Sequence, residues 1–223
     1  MKKLFYRSFL LIFTLSLILI IYLSTLGIET DKFNNQISNQ IKNINKDLKI
    51  DLKKIKLLLD PFNLKINLKT YGSTIINKKN YIELENIQTQ ISIKSYIENK
   101  FILSNLNIST KSLNIKKLIS FIRTFEKKPE LYILEKFIKK GYLIADISLQ
   151  FDEKGKIKDN FAIKGVISDS KIIINKYYNL DKINFSFDIN GKNFDFKDIG
   201  FKFNQVPIFS DGINVQVLKD KFF

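Results

Sequence analysis

The chain contains no cysteine and no histidine. The first absence excludes disulfides and thiolate sites, and the second removes the commonest general base and the commonest metal ligand. Glycine is sparse, with eight residues, and no Gly-rich phosphate loop, serine nucleophile elbow or metal-ligand spacing occurs. Arginine is almost missing. Lys and Arg total 37 for a net charge of +15, yet only Arg7 and Arg123 are arginine. Lysines scattered along the chain without arginine forks make a solvated face, not a nucleic-acid patch. Lys, Asn, Ile and Phe are also what an AT-rich genome writes at permissive positions. The charge still favours anionic lipid surfaces at close range. Glu83 and Glu85 are two apart on a strand, which suits a solvated face better than acid–base work. No catalytic residue, metal site or cofactor is expected, and no nucleic-acid partner.

What is present begins with a charge-free run, Ser8 to Ile28. At roughly 21 residues, it reaches about 30 Å as a helix, the thickness of a bilayer hydrocarbon core. Lys2, Lys3 and Arg7 precede it, and Glu29 and Asp31 follow. The positive-inside bias then places residues 1–7 in the cytoplasm. A cleaved signal would have an apolar region of about 7–15 residues and a small-x-small exit. The exit Leu23-Ser24-Thr25-Leu26-Gly27 is a poor match, so 8–28 is read as an uncleaved transmembrane anchor. The run has no polar face, which disfavours a buried helix of a soluble domain.

Phe33, Ile37, Ile41, Ile44 and Leu48 recur at three- and four-residue intervals. They predict a juxtamembrane amphipathic helix within 29–47, with Thr30 as N-cap, packing on a sheet edge or lying at the interface. From Lys49 the period becomes two. Ile50 and Leu52, then Ile55, Leu57 and Leu59, change parity near Lys53-Lys54, which predicts a β-bulge or a strand changing partners. Asp60-Pro61-Phe62-Asn63 turns the chain. Leu64, Ile66 and Leu68 form the next strand, and Tyr71-Gly72 breaks it. Ile82 and Leu84, then Ile87, Thr89, Ile91 and Ile93, change parity again near Glu85-Asn86. A connection at Ser95 to Asn99 leads to Phe101, Leu103, Leu106 and Ile108.

A helical insertion is expected at about 115–140. Ile115, Leu118, Ile119, Ile122 and Phe125 mark one helix, and Pro129 opens a second that Gly141 stops. The pair either packs across an open sheet end or covers a groove. Strands then resume with Leu143, Ala145, Ile147, Leu149 and Phe151, and a turn at 152–155. Ile157, Ile163, Gly165 and Ile167 return, with a turn at Ser168-Asp169-Ser170. Phe185, Phe187 and Ile189 lead to the hairpin signal Asn190-Gly191-Lys192. Phe194, Phe196, Phe201 and Phe203 precede breaks at Val206-Pro207 and Asp211-Gly212. The alternation still runs at Phe223, so a longer protein continuing the same sheet is expected, with a complete small domain as the alternative. The predicted class is mainly β with a few helices, an antiparallel, open, groove-like twisted sheet behind an N-terminal transmembrane helix.

The anchor, the Lys32-Phe33-Asn34 opening of the amphipathic helix, the stretch LKIDLKKIKLLLDPFNLKI (Leu48–Ile66) and the run YIELENIQTQISIKSYIENKFILSNLNISTKSLNI (Tyr81–Ile115) together resemble the N-terminal portion of the AsmA-like superfamily (the AsmA, TamB and YhdP type). The resemblance implies a single-pass bacterial inner-membrane protein whose bulk, residues 48–223, is a periplasmic β-rich domain. It further implies a part in phospholipid transport to the outer membrane and outer-membrane biogenesis, through an apolar groove. A second branch of the resemblance implies an anchored scaffold for outer-membrane protein assembly, acting through strand edges. The residues themselves agree on chemistry: a trough for acyl chains needs only apolar side chains on one strand face. Ile66, Leu68, Ile82, Leu84, Ile147, Leu149, Phe185 and Phe187 are the candidates, with ordinary core packing as the alternative role of each.

Overall fold

The computed structural model describes residues 2–44, 46–98, 103–125, 128–152, 158, 160–218 and 221–222. Expectations placed on Phe101, on the centre of the 152–155 turn, on Ile157 and on Phe223 lie outside the described residues, as do the side chains of Ile41 and Ile44.

Helix α1 (Lys2–Thr25) starts before the charge-free run and stops three residues short of its end. It is long and apolar enough to cross a membrane. From Lys3 to Thr25 its side chains are exposed all round, apart from half-buried Leu23 and Ser24. An apolar helix this exposed is what a lipid environment would cover. Three of its hydroxyls bond back to the helix: Thr14 donates to the Leu10 carbonyl, Ser24 to Ile20 (2.8 Å) and Thr25 to Ile21 (2.7 Å). Such back-bonding removes the cost of a bare hydroxyl in hydrocarbon. Gly27 ends the helix at φ +69°, where a Cβ would sit 2.2 Å from the Leu57 carbonyl oxygen. Only glycine tolerates both that conformation and that approach.

The anchor therefore passes directly into the sheet. Strand β1 (Ile28–Thr30) follows, so Ile28 belongs to a strand and Thr30 is not an N-cap. Pairing with Ile55 holds Thr30 extended, and its hydroxyl accepts from the Lys32 N–H instead. Helix α2 (Asn34–Ile44) comes next, then β2 (Leu48–Asp51) and β3 (Ile55–Asp60). The parity change at Lys53-Lys54 is a change of partner. β2 pairs with β5 (Thr74–Asn77), whereas β3 pairs with β1 and with β4 (Lys65–Tyr71). β6 (Asn80–Ser92) pairs first with β5, then with β4, and a bulge between Leu84 and Asn86 accounts for the second parity change. The connection near Ser95 is a short helix, α3 (Ile93–Ile97), leading to β7 (Leu103–Thr110) and β8 (Leu113–Asn114).

The two expected helices are α4 (Ile115–Ile122), capped by the Asn114 side chain accepting from the Lys117 N–H, and α5 (Pro129–Phe137). Gly141 does not stop α5. The chain is extended again from Ile138, and β9 (Ile138–Gln150) contains Gly141 at φ +144°. A Cβ there would collide with Ser170 and Ile115, so this glycine lets β9 pass close beneath α4. β10 (Ala162–Ile173) runs through Ser168-Asp169-Ser170 as an irregularity, with Asp169 at φ +46°, and not as a turn. β11 (Asn179–Asn190) and β12 (Asn193–Phe203) form the expected hairpin around Gly191. The next turn is Asn204-Gln205, and Val206-Pro207 and Asp211-Gly212 lie within β13 (Val206–Leu218), followed by β14 (Lys221–Phe222).

All pairings are antiparallel. The order is β1-β3-β4-β6-β7-β9-β10-β11-β12-β13-β14, with β2 and β5 branching from β6 and β8 attached to β9. The sheet is open and does not close into a barrel.

Candidate functional site

Directly opposed residues of a sheet share a face, so the register fixes what each face carries. One row runs Ile55, Thr70, Ile87, Ile108, Ile147, Ile163, Ile189, Phe194, Val215, across β3 to β13. The neighbouring residues on the other face read Lys56, Lys69, Gln88, Asn107, Ser148, Ala162, Asn190, Asn193, Gln216. Over nine paired strands one face is thus apolar at every position but Thr70, and the other is polar in its row at every position but Ala162. Two further rows widen the apolar face: Leu57, Leu68, Thr89, Leu106, Leu149, and Ala145, Gly165, Phe187, Phe196, Ile213.

All eight candidates lie on this face, in two different settings. Ile66 and Leu68 belong to a cluster in which Ile55, Leu68 and Ile91 are buried, with Phe33 and Ile37 packed on them from the α2 segment. Ile82 and Leu84 are buried with Phe121 of α4, and Leu118 and Phe125 close the cluster. Core packing describes these four. Ile147, Leu149, Phe185 and Phe187 are only half-buried. α4 and α5 reach as far as β9, and among the described residues no helix packs substantially on β10 to β13. There the aromatic rings cover one another. Phe185 stands edge-on to Phe196, with centroids 5.9 Å apart, and lies 6.3 Å from Phe187. The Phe187 ring lies over Gly165, where an added Cβ would come within 2.6 Å of the ring and 2.5 Å of the Ile144 carbonyl oxygen.

Residue typing alone missed most members of the rows, Ile108, Ile163, Phe194, Phe196 and Gly165 among them. Gly165, the one gap in an apolar alternation, was the available sign of a close approach. On the polar face a depression of 410 Å³ is lined by Lys164, Asp188, Asp195 and Lys197 among others. Its charges pair with one another, Lys164 to Asp188 at 2.9 Å and Lys197 to Asp195 at 3.2 Å. The Asp188 hydrogen bond and charge hold the Lys164 ammonium above its usual pKa. These cations are neutralised within the chain. Glu83 pairs with Lys111 at 3.1 Å. Among the described residues, no three acidic side chains gather where they could hold a metal ion.

No protein-family model, no curated protein and no solved structure matches this chain.

Proposed function

We propose that this chain is a single-pass, inner-membrane-anchored protein that shields lipid acyl chains on the uncovered apolar face of β10 to β13, as one section of a phospholipid path toward the outer membrane. The observation that carries the reading is the unbroken apolar row from Ile87 to Val215, backed by a polar face and left without a helical cover past β9. Four strands at about 4.8 Å spacing give a face roughly 15 Å wide. An acyl chain exposed to water costs about 0.8 kcal/mol per methylene, and an apolar surface removes that cost without any reacting group. Lys2, Lys3 and Arg7 before the anchor support a cytoplasmic N-terminus with the sheet in the periplasm.

The test is the lipid content of the full chain purified in a mild detergent. Wild type is expected to retain phospholipid, and Phe187→Asp to lose most of it while keeping its circular dichroism. Equal lipid in both would contradict the reading. Adducts only to other proteins, from a photo-crosslinker at Leu149, would favour the edge-strand scaffold instead.

A further inference from the structure

We propose that the β3–β4 turn, Pro61-Phe62-Asn63-Leu64, is a second membrane contact, inserting beside the anchor into the surface of the same bilayer. The proposal rests on the anchored reading and adds to it where the sheet meets the lipid.

The register places the turn. Ile28, the first strand residue after the anchor, is opposite Leu57. β3 then continues through Leu58, Leu59 and Asp60, back in the direction from which the anchor arrives. At about 3.4 Å per strand residue, the turn reaches roughly 10 Å past Ile28 on the anchor's side. α1 lies against β3, and Leu58 approaches Gly27 at the joint.

The turn carries the wrong residues for water. Phe62 is 96% exposed and Leu64 65% exposed. Leu64 also takes φ +51°, a conformation that favours glycine or asparagine. A large apolar side chain is thus held outward at a position where a smaller polar residue would be less strained. The turn is held in shape. The Asp60 carboxylate accepts from the Asn63 N–H (3.1 Å) and from its side-chain amide (2.9 Å).

A neighbouring segment at the same end repeats the pattern. The Ile93 N–H donates to the Leu64 carbonyl at 3.0 Å, tying α3 to the turn, and Ile97 at the end of α3 is 73% exposed. Lys65 and Lys94 flank these apolar residues, a mixture suited to an anionic headgroup layer. The apolar sheet face begins immediately behind the turn, with Leu59 opposite Ile66 and Ile66 opposite Ile91.

Because the native chain has no cysteine, single labels are unambiguous. The full chain is reconstituted in vesicles of phosphatidylethanolamine and phosphatidylglycerol. An environment-sensitive fluorophore is placed in turn on Phe62→Cys, Leu15→Cys and Tyr177→Cys, the last an exposed aromatic at the opposite strand ends. Lipid-borne nitroxides are expected to quench position 15 strongly and position 62 several-fold more than position 177, with aqueous iodide giving the reverse order. Quenching at 15 with position 62 as iodide-accessible as 177 would overturn this proposal and leave the anchor intact. An unquenched position 15 would overturn both.

Discussion

The sheet is one continuous ladder, yet its two halves bury their apolar face by different means. From β3 to β7 the face is roofed by helices, so that Ile55 and Ile91 keep only 1% of their surface exposed. From β10 to β13 the same face carries Ile163, Phe187, Phe194 and Phe196, and these half-buried side chains cover one another. Strand pattern is alike in both halves, so strand pattern does not decide what covers a sheet. Among the described residues, the difference lies in the helices, which are all at or before Phe137. The roofed half resembles an ordinary core, and an apolar face of this extent without a roof is the kind of surface that engages a partner.

The comparison breaks most sharply at Leu68. Leu68→Ala leaves a cavity beneath α2 and is expected to lower unfolding stability by about 2–5 kcal/mol in urea titration. Phe187→Ala, from the open half, is expected to cost clearly less. Equal losses would mean that the open half is covered after all. Gly165→Ala tests how that half is held. The new methyl meets the Phe187 ring and the Ile144 carbonyl, so a loss of about 1–3 kcal/mol is expected, with Phe187→Ala partly rescuing it in the double variant. Additive losses would deny the contact.

Arg123 probes the roof itself. It pairs with Glu135 and lies 5.0 Å from the Tyr132 ring, which ties α5 to α4. Both partners are partly exposed, so Arg123→Ala is expected to cost no more than about 1 kcal/mol and to raise amide exchange in α5 alone. Exchange rising across α4 as well would make α5 part of the core. The smallest effect concerns Asp60. The Asn63 side-chain and backbone hydrogen bonds hold its carboxyl below the ordinary value of 3.8. Its contribution is therefore present above that value and lost as pH falls through the lower folded one. Amide exchange at Asn63 should rise only in that acid window, and a rise already near neutrality would contradict the assignment.

Local signals were legible where one strand carried them. The parity changes at Lys53-Lys54 and Glu85-Asn86, the Gly191 hairpin and both helices of the 115–140 region follow from spacing and punctuation. Misreadings fell where a glycine or a polar triplet meant a bend within a strand. Gly141 and Ser168-Asp169-Ser170 look like stops, but pairing with β10 resumes beyond the first, and pairing on both edges of β10 carries the chain through the second. The candidate face was legible as residue type. Which of its members lie under helices was not, because Phe33, Ile37 and Phe121 reach them across long sequence separations.

The central claim is that acyl chains occupy the unroofed half and not the roofed one. Its most direct measurement places a photo-crosslinking residue at Phe187 and, separately, at Leu68 in the full chain, irradiates membranes and identifies adducts by mass spectrometry. Phospholipid adducts are expected at Phe187 and none at Leu68. Adducts at neither position, or equally at both, would contradict the account.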